Sequence, residues 1–276
     1  MPELPEVETV RRTLMQLVVG KQIDHVTINL PRIIKRPIEP EQFADAIVGQ
    51  TIQTIERRGK FLKIMMDELM LVSHLRMEGK YGVYDKSDPL EPHTHVIFHF
   101  TDGTELRYRD VRQFGTMHLF LPAEESLLPP LNKLGVEPLD EQFTVQVLRE
   151  KLERRSSKIK PLLLNQEHVV GLGNIYVDEA LFKARIHPER EASTLTEAEW
   201  SMLFISIKET LQQAVEMGGS SIKSYVNGQG EMGMFQQQLL VYGRKSEPCP
   251  TCDHPIEKLK VAGRGTHICT KCQQKL

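Results

Sequence analysis

Long apolar runs are missing from this 276-residue chain. Asp67 and Glu68 split its richest hydrophobic stretch, so nothing approaches the roughly 20 residues that a membrane-spanning helix needs. Cysteine is confined to the last 28 residues, which argues against the disulfide scaffold of a small secreted protein. A charge excess of either sign is also lacking: the formal net charge is −2, and the sum alone announces no nucleic-acid partner. The N-terminus is acidic where a signal peptide is basic, so a cytoplasmic location is expected. No internal repeat is present.

Forty per cent of the residues are hydrophobic and 26% charged, an ordinary soluble balance, at a length that suits two domains. The charges are unevenly spread. Segment 149–160 holds six Lys/Arg against two Glu, and segment 239–276 holds seven against three acids. Such regions suit phosphate, although a charge run is more often solvated surface.

The first eight residues, Met1-Pro-Glu-Leu-Pro-Glu-Val-Glu8, carry the most chemistry. Removal of Met1 exposes Pro2 as a secondary amine, and an α-amino group titrating near ~8 keeps a nucleophilic fraction at neutral pH. Glu3 adjoins that amine and Glu6 follows one turn later, which supplies carboxylates for proton transfer. The plainer reading is a helix start. Pro5 suits the first helical position, Glu6 and Glu8 suit the positive end of the dipole, and Val7, Val10, Leu14 and Leu17 form one apolar stripe. The two readings are compatible, because a helix holds the amine rigidly.

Residues 22–120 read as strands: Val26, Ile28 and Leu30 alternate, and Phe61–Met66, Leu69–Leu75, His95–Phe100, Glu105–Tyr108 and Met117–Leu121 are short apolar runs between Gly, Asp or Pro. A helix over Pro40–Val48 interrupts them and ends at Gly49. Many short antiparallel strands predict a β-sandwich with helices outside. Prolines 122, 129, 130 and 138 mark a linker. Helices follow over Phe143–Arg154, Lys158–Leu164, Ile175–Ala184 and Thr196–Met217, the last opening with a Thr196-x-x-Glu199 capping box. Gly171-Leu-Gly-Asn174 precedes the third as a phosphate cradle or a plain turn. Residues 217–235 hold five glycines in nineteen positions, a composition that suits a loop closing over a ligand.

Cys249-x₂-Cys252-x₁₆-Cys269-x₂-Cys272 has the spacing of a closed, tetrahedral, structural zinc site built on two knuckles. Ile256–Val261 and His267–Ile268 are expected to be the strands of a ribbon, with Arg264 at its tip between two glycines. In the strand region, Met77, Arg112 and Phe114 fall on expected loop tips, where Met and Phe suit wedging into a base stack while Arg takes the vacated space. Taken singly, a Met or Phe is more often core. His93, His95 and His99 read as surface or hydrogen-bonded histidines, and Arg57-Arg-Gly-Lys60 as a basic turn facing phosphate or water.

Pro-Glu-Leu-Pro-Glu-Val-Glu-Thr9, Arg-Arg-Gly-Lys-Phe61, Ser-His-Leu-Arg-Met-Glu-Gly79, Gly-Asn-Ile-Tyr-Val-Asp-Glu179 and Gly-Arg-Gly-Thr-His267 occur here in one order over the whole chain. Together they resemble the bacterial formamidopyrimidine-DNA glycosylases, also called 8-oxoguanine DNA glycosylases. The resemblance implies an α+β multidomain fold. A catalytic β-sandwich over 1–124 and a linker over 125–142 precede a helix-two-turn-helix domain over 143–238, with a lesion-capping loop at 217–235, and a zinc ribbon over 239–276. It also implies base-excision repair of oxidised purines in duplex DNA, with the damaged base flipped out of the helix.

In that reading Pro2 attacks C1′ and forms a Schiff base, Glu3 is the general acid/base, and β,δ-elimination cuts the abasic strand. Lys60 lies near the lesion, and Glu6 and Arg264 join the catalytic set. His74, Met77, Arg112, Phe114, Asn174, Lys160 and Arg264 contact DNA, and Ser220, Ile222, Lys223, Ser224 and Tyr225 belong to the capping loop. One structural zinc is held by Cys249, Cys252, Cys269 and Cys272. The partner is double-stranded DNA with oxidised purines or abasic sites, and the enzyme is expected to act as a monomer at the nucleoid. Gln113 and Lys223 depart from the family, which commonly has a basic residue and an Arg there. Two alternatives remain at this level: an endonuclease VIII-like enzyme for oxidised pyrimidines, and a zinc-ribbon DNA-binding protein without activity.

Overall fold

The computed structural model describes residues 1–220 and 233–275. Two compact units divide the chain: Met1–Asn132 with Gly218–Gly233, and Lys133–Met217 with Met234–Leu276.

Among the described residues of the first unit, α1 (Leu4–Val18) precedes nine strands and one further α-helix. The strands are β1 (Ile23–Ile28), β2 (Ile34–Arg36), β3 (Ile52–Arg58), β4 (Phe61–Met66), β5 (Met70–His74), β6 (Lys80–Asp85), β7 (Thr94–Phe100), β8 (Thr104–Arg109) and β9 (Thr116–Phe120), with α2 (Pro40–Ile47) after β2. They form two sheets, ordered β1-β7-β8-β6 and β2-β9-β5-β4-β3. Period-two alternation places Leu62 and Ile64 of β4, Val96 and Phe98 of β7, and Leu106 and Tyr108 of β8 in one core between the sheets. Val7, Val10 and Leu14 of α1 enter the same core, while Leu17 is only partly buried at its edge.

Three strands escape the sequence signal. β3 runs through the segment read as a basic turn, so that the turn shrinks to Gly59-Lys60. In β6, Gly82 sits mid-strand because a Cβ there would lie 2.7 Å from the Tyr84 ring. Gly weakens the strand pattern in a sequence for the same reason that it fits here. β2 is three residues long and pairs with β9 in parallel, an exception to the expected antiparallel pattern. His93 lies before β7 in a left-handed conformation (φ 67°), so only His95 and His99 share the strand.

The second unit contains α3 (Val145–Leu152), α4 (Ile159–Leu164), α5 (Asn174–Lys183), α6 (Glu197–Glu216) and a hairpin of β10 (Glu257–Val261) with β11 (Arg264–Ile268). Its helices pack through Leu148, Leu163, Tyr176, Trp200 and Leu203, all buried. The capping box opens α6 as its sequence predicts: Thr196 N–H donates to Glu199 at 2.8 Å, and Glu199 N–H to the Thr196 hydroxyl at 3.3 Å. Ala262 and Gly263 both have positive φ and form the whole hairpin turn, a two-residue connection of the I′ kind. Arg264 therefore opens a strand instead of standing at the tip. The hairpin and the helices belong to one unit, and the described ends of the glycine-rich segment, Gly218–Ser220 and Gly233, group with the first unit.

Phe43 of α2 is fully buried in the sandwich core. Phe43→Ala is expected to cost about 3–5 kcal/mol in urea unfolding, the range for emptying an aromatic site. A loss below about 1 kcal/mol would show that this helix is not part of the core.

Candidate active site and metal centre

The chain start is held by one carboxylate. Glu6, 3% exposed, accepts the Glu3 N–H through Oε2 at 2.8 Å. Its Oε1 accepts both the N–H and the hydroxyl of Ser220, at 2.8 and 3.1 Å. A Cβ at Gly219 would stand 2.8 Å from the same Oε1, and one at Gly233 only 2.3 Å from the Gly219 carbonyl. Glycine at these positions lets the root of the 217–235 segment close on Glu6. With both oxygens engaged, Glu6 fits a positioning part better than the proton transfer its sequence position suggested. Pro2 and Glu3 are buried beside it, whereas Met1 is 48% exposed. Ile222, Lys223, Ser224 and Tyr225 lie outside the described residues.

Lys60 occupies the β3–β4 turn after Gly59, whose φ of +56° suits the first position of a two-residue hairpin. Arg57 braces this turn by donating to the Gly59 carbonyl at 3.0 Å and to Glu8 of α1 at 3.2 Å. Burial pushes the Glu8 carboxyl up, but Arg11, Arg12 and Arg57 outweigh it and hold it below the ordinary range. His74 of β5 is edge-on to Phe61, 4.5 Å between ring centroids. Its Nδ1 accepts the Arg76 N–H at 2.9 Å, which leaves the proton of the neutral ring on Nε2. Burial, reinforced by Arg76 and Lys60, pushes its pKa down to about 3.

Met77 and Phe114 stand exposed on separate turns, and the Arg112 guanidinium lies over the Phe114 ring at 5.0 Å. Gln113 is in the left-handed region and accepts a hydrogen bond from Arg32. Arg32 thus brings a cation to the position where Gln113 itself has none. Asp110, with no exposed surface, accepts the N–H groups of Arg112, Phe114 and Gly115 at 3.1, 2.9 and 2.8 Å.

In the second unit, the end of the Gly173–Glu179 run serves as scaffold. Glu179 accepts three consecutive N–H groups, from Leu240, Val241 and Tyr242, at 2.8, 3.0 and 2.8 Å. Asp178 accepts Lys160 Nζ at 2.6 Å and the His267 N–H at 2.9 Å. Lys160, 0% exposed, also donates to the Thr266 hydroxyl at 2.8 Å. This corrects the expectation that Lys160 contacts DNA: its ammonium is spent inside the unit, tying α4 to α5 and the hairpin. Asn174 starts α5 and gives its side-chain N–H to the Gly265 carbonyl at 2.8 Å, leaving its main chain at the helix N-terminus. Arg264 is exposed.

The four cysteine sulfurs lie within 4.8 Å of one another. Zn–S bonds of about 2.3 Å in a tetrahedron require S···S edges of about 3.8 Å. Cys249–Cys272 is 3.9 Å, and Cys252–Cys269 and Cys252–Cys272 are each 3.5 Å. Four thiolates at these separations fit one zinc ion. Phe182, Val241 and Ile256 pack beneath them in a small core, so the metal closes the finger and leaves no open coordination position for chemistry.

Residues 1–117 match the formamidopyrimidine-DNA glycosylase N-terminal domain, 134–226 the formamidopyrimidine-DNA glycosylase H2TH domain, and 246–275 the zinc finger found in FPG and IleRS. The chain belongs to the formamidopyrimidine-DNA glycosylase family. It is 65% identical to the formamidopyrimidine-DNA glycosylase of Brevibacillus brevis over 274 residues, 99% of each chain. It is 61% identical to that of Bacillus licheniformis over 275 residues, 100% of each chain. Among solved structures, the Lactococcus lactis enzyme bound to N7-benzyl-Fapy-dG DNA superposes with a TM-score of 0.92 at 47% identity, covering 99% of this chain and 100% of that one. The same enzyme with DNA containing an abasic site gives 0.92 at 46%, over the same shares.

Three carboxylates of this glycosylase, Asp110, Asp178 and Glu179, carry no role in the sequence reading. Asp178 and Glu179 end a run quoted for other residues, and Asp110 lies two positions before Arg112. An acid flanked by hydrophobic neighbours on a helix, or directly before a turn rich in exposed residues, was the available signal.

Two outcomes follow from these environments. Asp178→Asn leaves the Lys160 charge buried and poorly paired, and is expected to destabilise the second unit by about 3–5 kcal/mol in thermal melts. Unchanged stability with a loss of DNA affinity would return Lys160 to the interface. For His74, the unfolded chain binds a proton below about 6.5 while the native ring resists until about 3. The stability from the neutral ring is full above 6.5 and drains as pH falls towards 3. His74→Gln should therefore flatten the acid limb of the Tm-versus-pH curve in that window. An unaltered limb would mean that the ring is already solvated.

Proposed function

We infer that this chain removes oxidised purines, formamidopyrimidines among them, from duplex DNA and cuts the resulting abasic strand. The observation that carries the reading is the buried Pro2-Glu3 start, fixed through Glu6, in a member of a family whose Lactococcus relative is seen on Fapy-dG and abasic DNA. The substrate places its work in the cytoplasm, at the bacterial nucleoid.

The chemistry begins once Met1 is removed. The Pro2 nitrogen attacks C1′ of the flipped nucleoside, the N-glycosidic bond breaks, and the base leaves with a proton. Glu3 opens the sugar by proton transfer at its ring oxygen, giving a cationic iminium between Pro2 and C1′. The iminium acidifies the C2′–H bond. Loss of that proton expels the 3′ phosphate, and a second elimination expels the 5′ phosphate. Hydrolysis of the iminium then frees Pro2. Lys60 and the neutral Nε2–H of His74 offer donors to the phosphates flanking the lesion, Met77, Arg112 and Phe114 fill the space left by the base, and Arg264 and the N-terminus of α5 at Asn174 grip backbone phosphate. Zinc keeps the hairpin that carries Arg264 folded.

Borohydride reduction during turnover should trap one covalent adduct on an oxidised-purine duplex, and peptide mapping should place it on Pro2. Pro2→Ala is expected to keep duplex affinity within about tenfold, or 1.4 kcal/mol, while excision is lost. An adduct that maps to a lysine, or excision at the normal rate in the variant, would end the nucleophile assignment. A duplex carrying thymine glycol serves as the comparison, since faster excision there would favour the pyrimidine alternative.

A further inference from the structure

We propose that Tyr108 and Asp110 form one buried positioning unit that sets the Met77 turn and the Arg112–Phe114 turn against each other and so governs the response to the base opposite the lesion. The proposal rests on the repair reading above, and it assigns a specificity role to two residues that touch neither sugar nor flipped base.

Asp110 is bonded to every residue from 112 to 115. Besides the three amide bonds to its carboxylate, its carbonyl accepts the Gln113 N–H at 3.2 Å and His95 Nε2 at 2.9 Å. Its own N–H donates to the His93 carbonyl at 3.1 Å. The turn thus has a buried hub and exposed spokes. Burying an aspartate costs desolvation that an apolar residue would avoid, but an apolar residue would leave three amides unpaired. The acid is there because these amides need an acceptor.

Tyr108 extends the hub to the second turn. Its hydroxyl donates to Asp110 Oδ2 at 3.3 Å, and the ring is buried in the sandwich core, 5.1 Å from Tyr81. A Cβ at Gly115 would stand 1.7 Å from that hydroxyl oxygen, and one at Gly79 2.4 Å. Gly79 closes the other turn, its N–H donating to the Leu75 carbonyl at 2.9 Å. One phenol oxygen is therefore wedged between the glycine of the Met77 turn and the glycine of the Phe114 turn. Neither glycine has positive φ. Contact, not backbone freedom, demands them.

The consequence falls on Arg112. Among the described residues its guanidinium has the Phe114 ring for company and no carboxylate within ion-pair distance. Its placement is then set by its own backbone, which is set by Asp110. Reading a base edge needs a donor fork held within about 0.5 Å, so a loosened turn should blur discrimination before it abolishes binding.

The test uses the full-length, zinc-loaded enzyme and single-turnover excision on duplexes that differ only in the base opposite the lesion. Asp110→Asn is expected to shrink the ratio between best and worst opposite base about tenfold, and Tyr108→Phe to shrink it by a smaller factor. In an Arg112→Ala background, Asp110→Asn should add no further change to the ratio, because the group it positions is gone. A ratio within twofold of the parent in folded Asp110→Asn, or effects of Asp110→Asn and Arg112→Ala that multiply, would overturn the proposal. Where Asp110→Asn fails to fold, Tyr108→Phe decides by the same ratio. Failure of the repair reading itself looks different: the parent enzyme would then show no excision on any of the duplexes.

Discussion

Buried carboxylates that accept backbone N–H groups hold this molecule's working parts in place. Glu6 takes amides from Glu3 and Ser220, Asp110 from three residues of one turn, Asp178 from His267, and Glu179 from three residues in a row. A charge-assisted bond of this kind is short and roughly twice as strong as a neutral one, and burial raises its stake in both directions. Loops otherwise carry their amides in water and move. Here the segments that the repair reading needs are clipped to helices and strands by an acid whose removal would leave several donors unpaired at once.

The same arrangement separates two acids that the sequence presents as equals. Glu3 and Glu6 lie a turn apart at the start of α1, and proximity to the amine recommends both for proton transfer. Glu6 spends its two oxygens on three donors from two distant stretches of chain. In the proposed reaction Glu3, next to the amine, is the acid–base group, and Glu6 is the joint between the chain start and the root of the glycine-rich segment.

Much of the fold was legible because its signals are local. Pro5 and the apolar stripe that starts at Val7 announce α1, the Thr196–Glu199 box announces α6, and the paired Cys-x₂-Cys knuckles announce the finger. β3 and β6 were not legible. Their residues alternate between sheet faces that are both partly covered, and Gly82 and the Arg57–Lys60 run imitate turns. Lys160 misled for a related reason, since a basic stretch looks like surface until the one lysine that faces inward meets Asp178. The candidate site was legible in the four cysteines, which the structure brings together, and in the outward projection of Phe114. Support residues such as Asp110 and Tyr108 stayed hidden, because their partners are backbone atoms that no pattern of side chains records.

Met1 stands ahead of Pro2, with about half its surface open to solvent. Under the proposed mechanism the Pro2 nitrogen is inert for as long as it is locked in its amide with Met1. A single aminopeptidase cut creates the reagent, with no side chain to modify. The small ring of proline suits such trimming, and the exposed methionine is in reach of it. It follows that any fusion partner or leftover tag residue at the amino end would produce a protein that folds, binds zinc and grips its substrate, yet never fires.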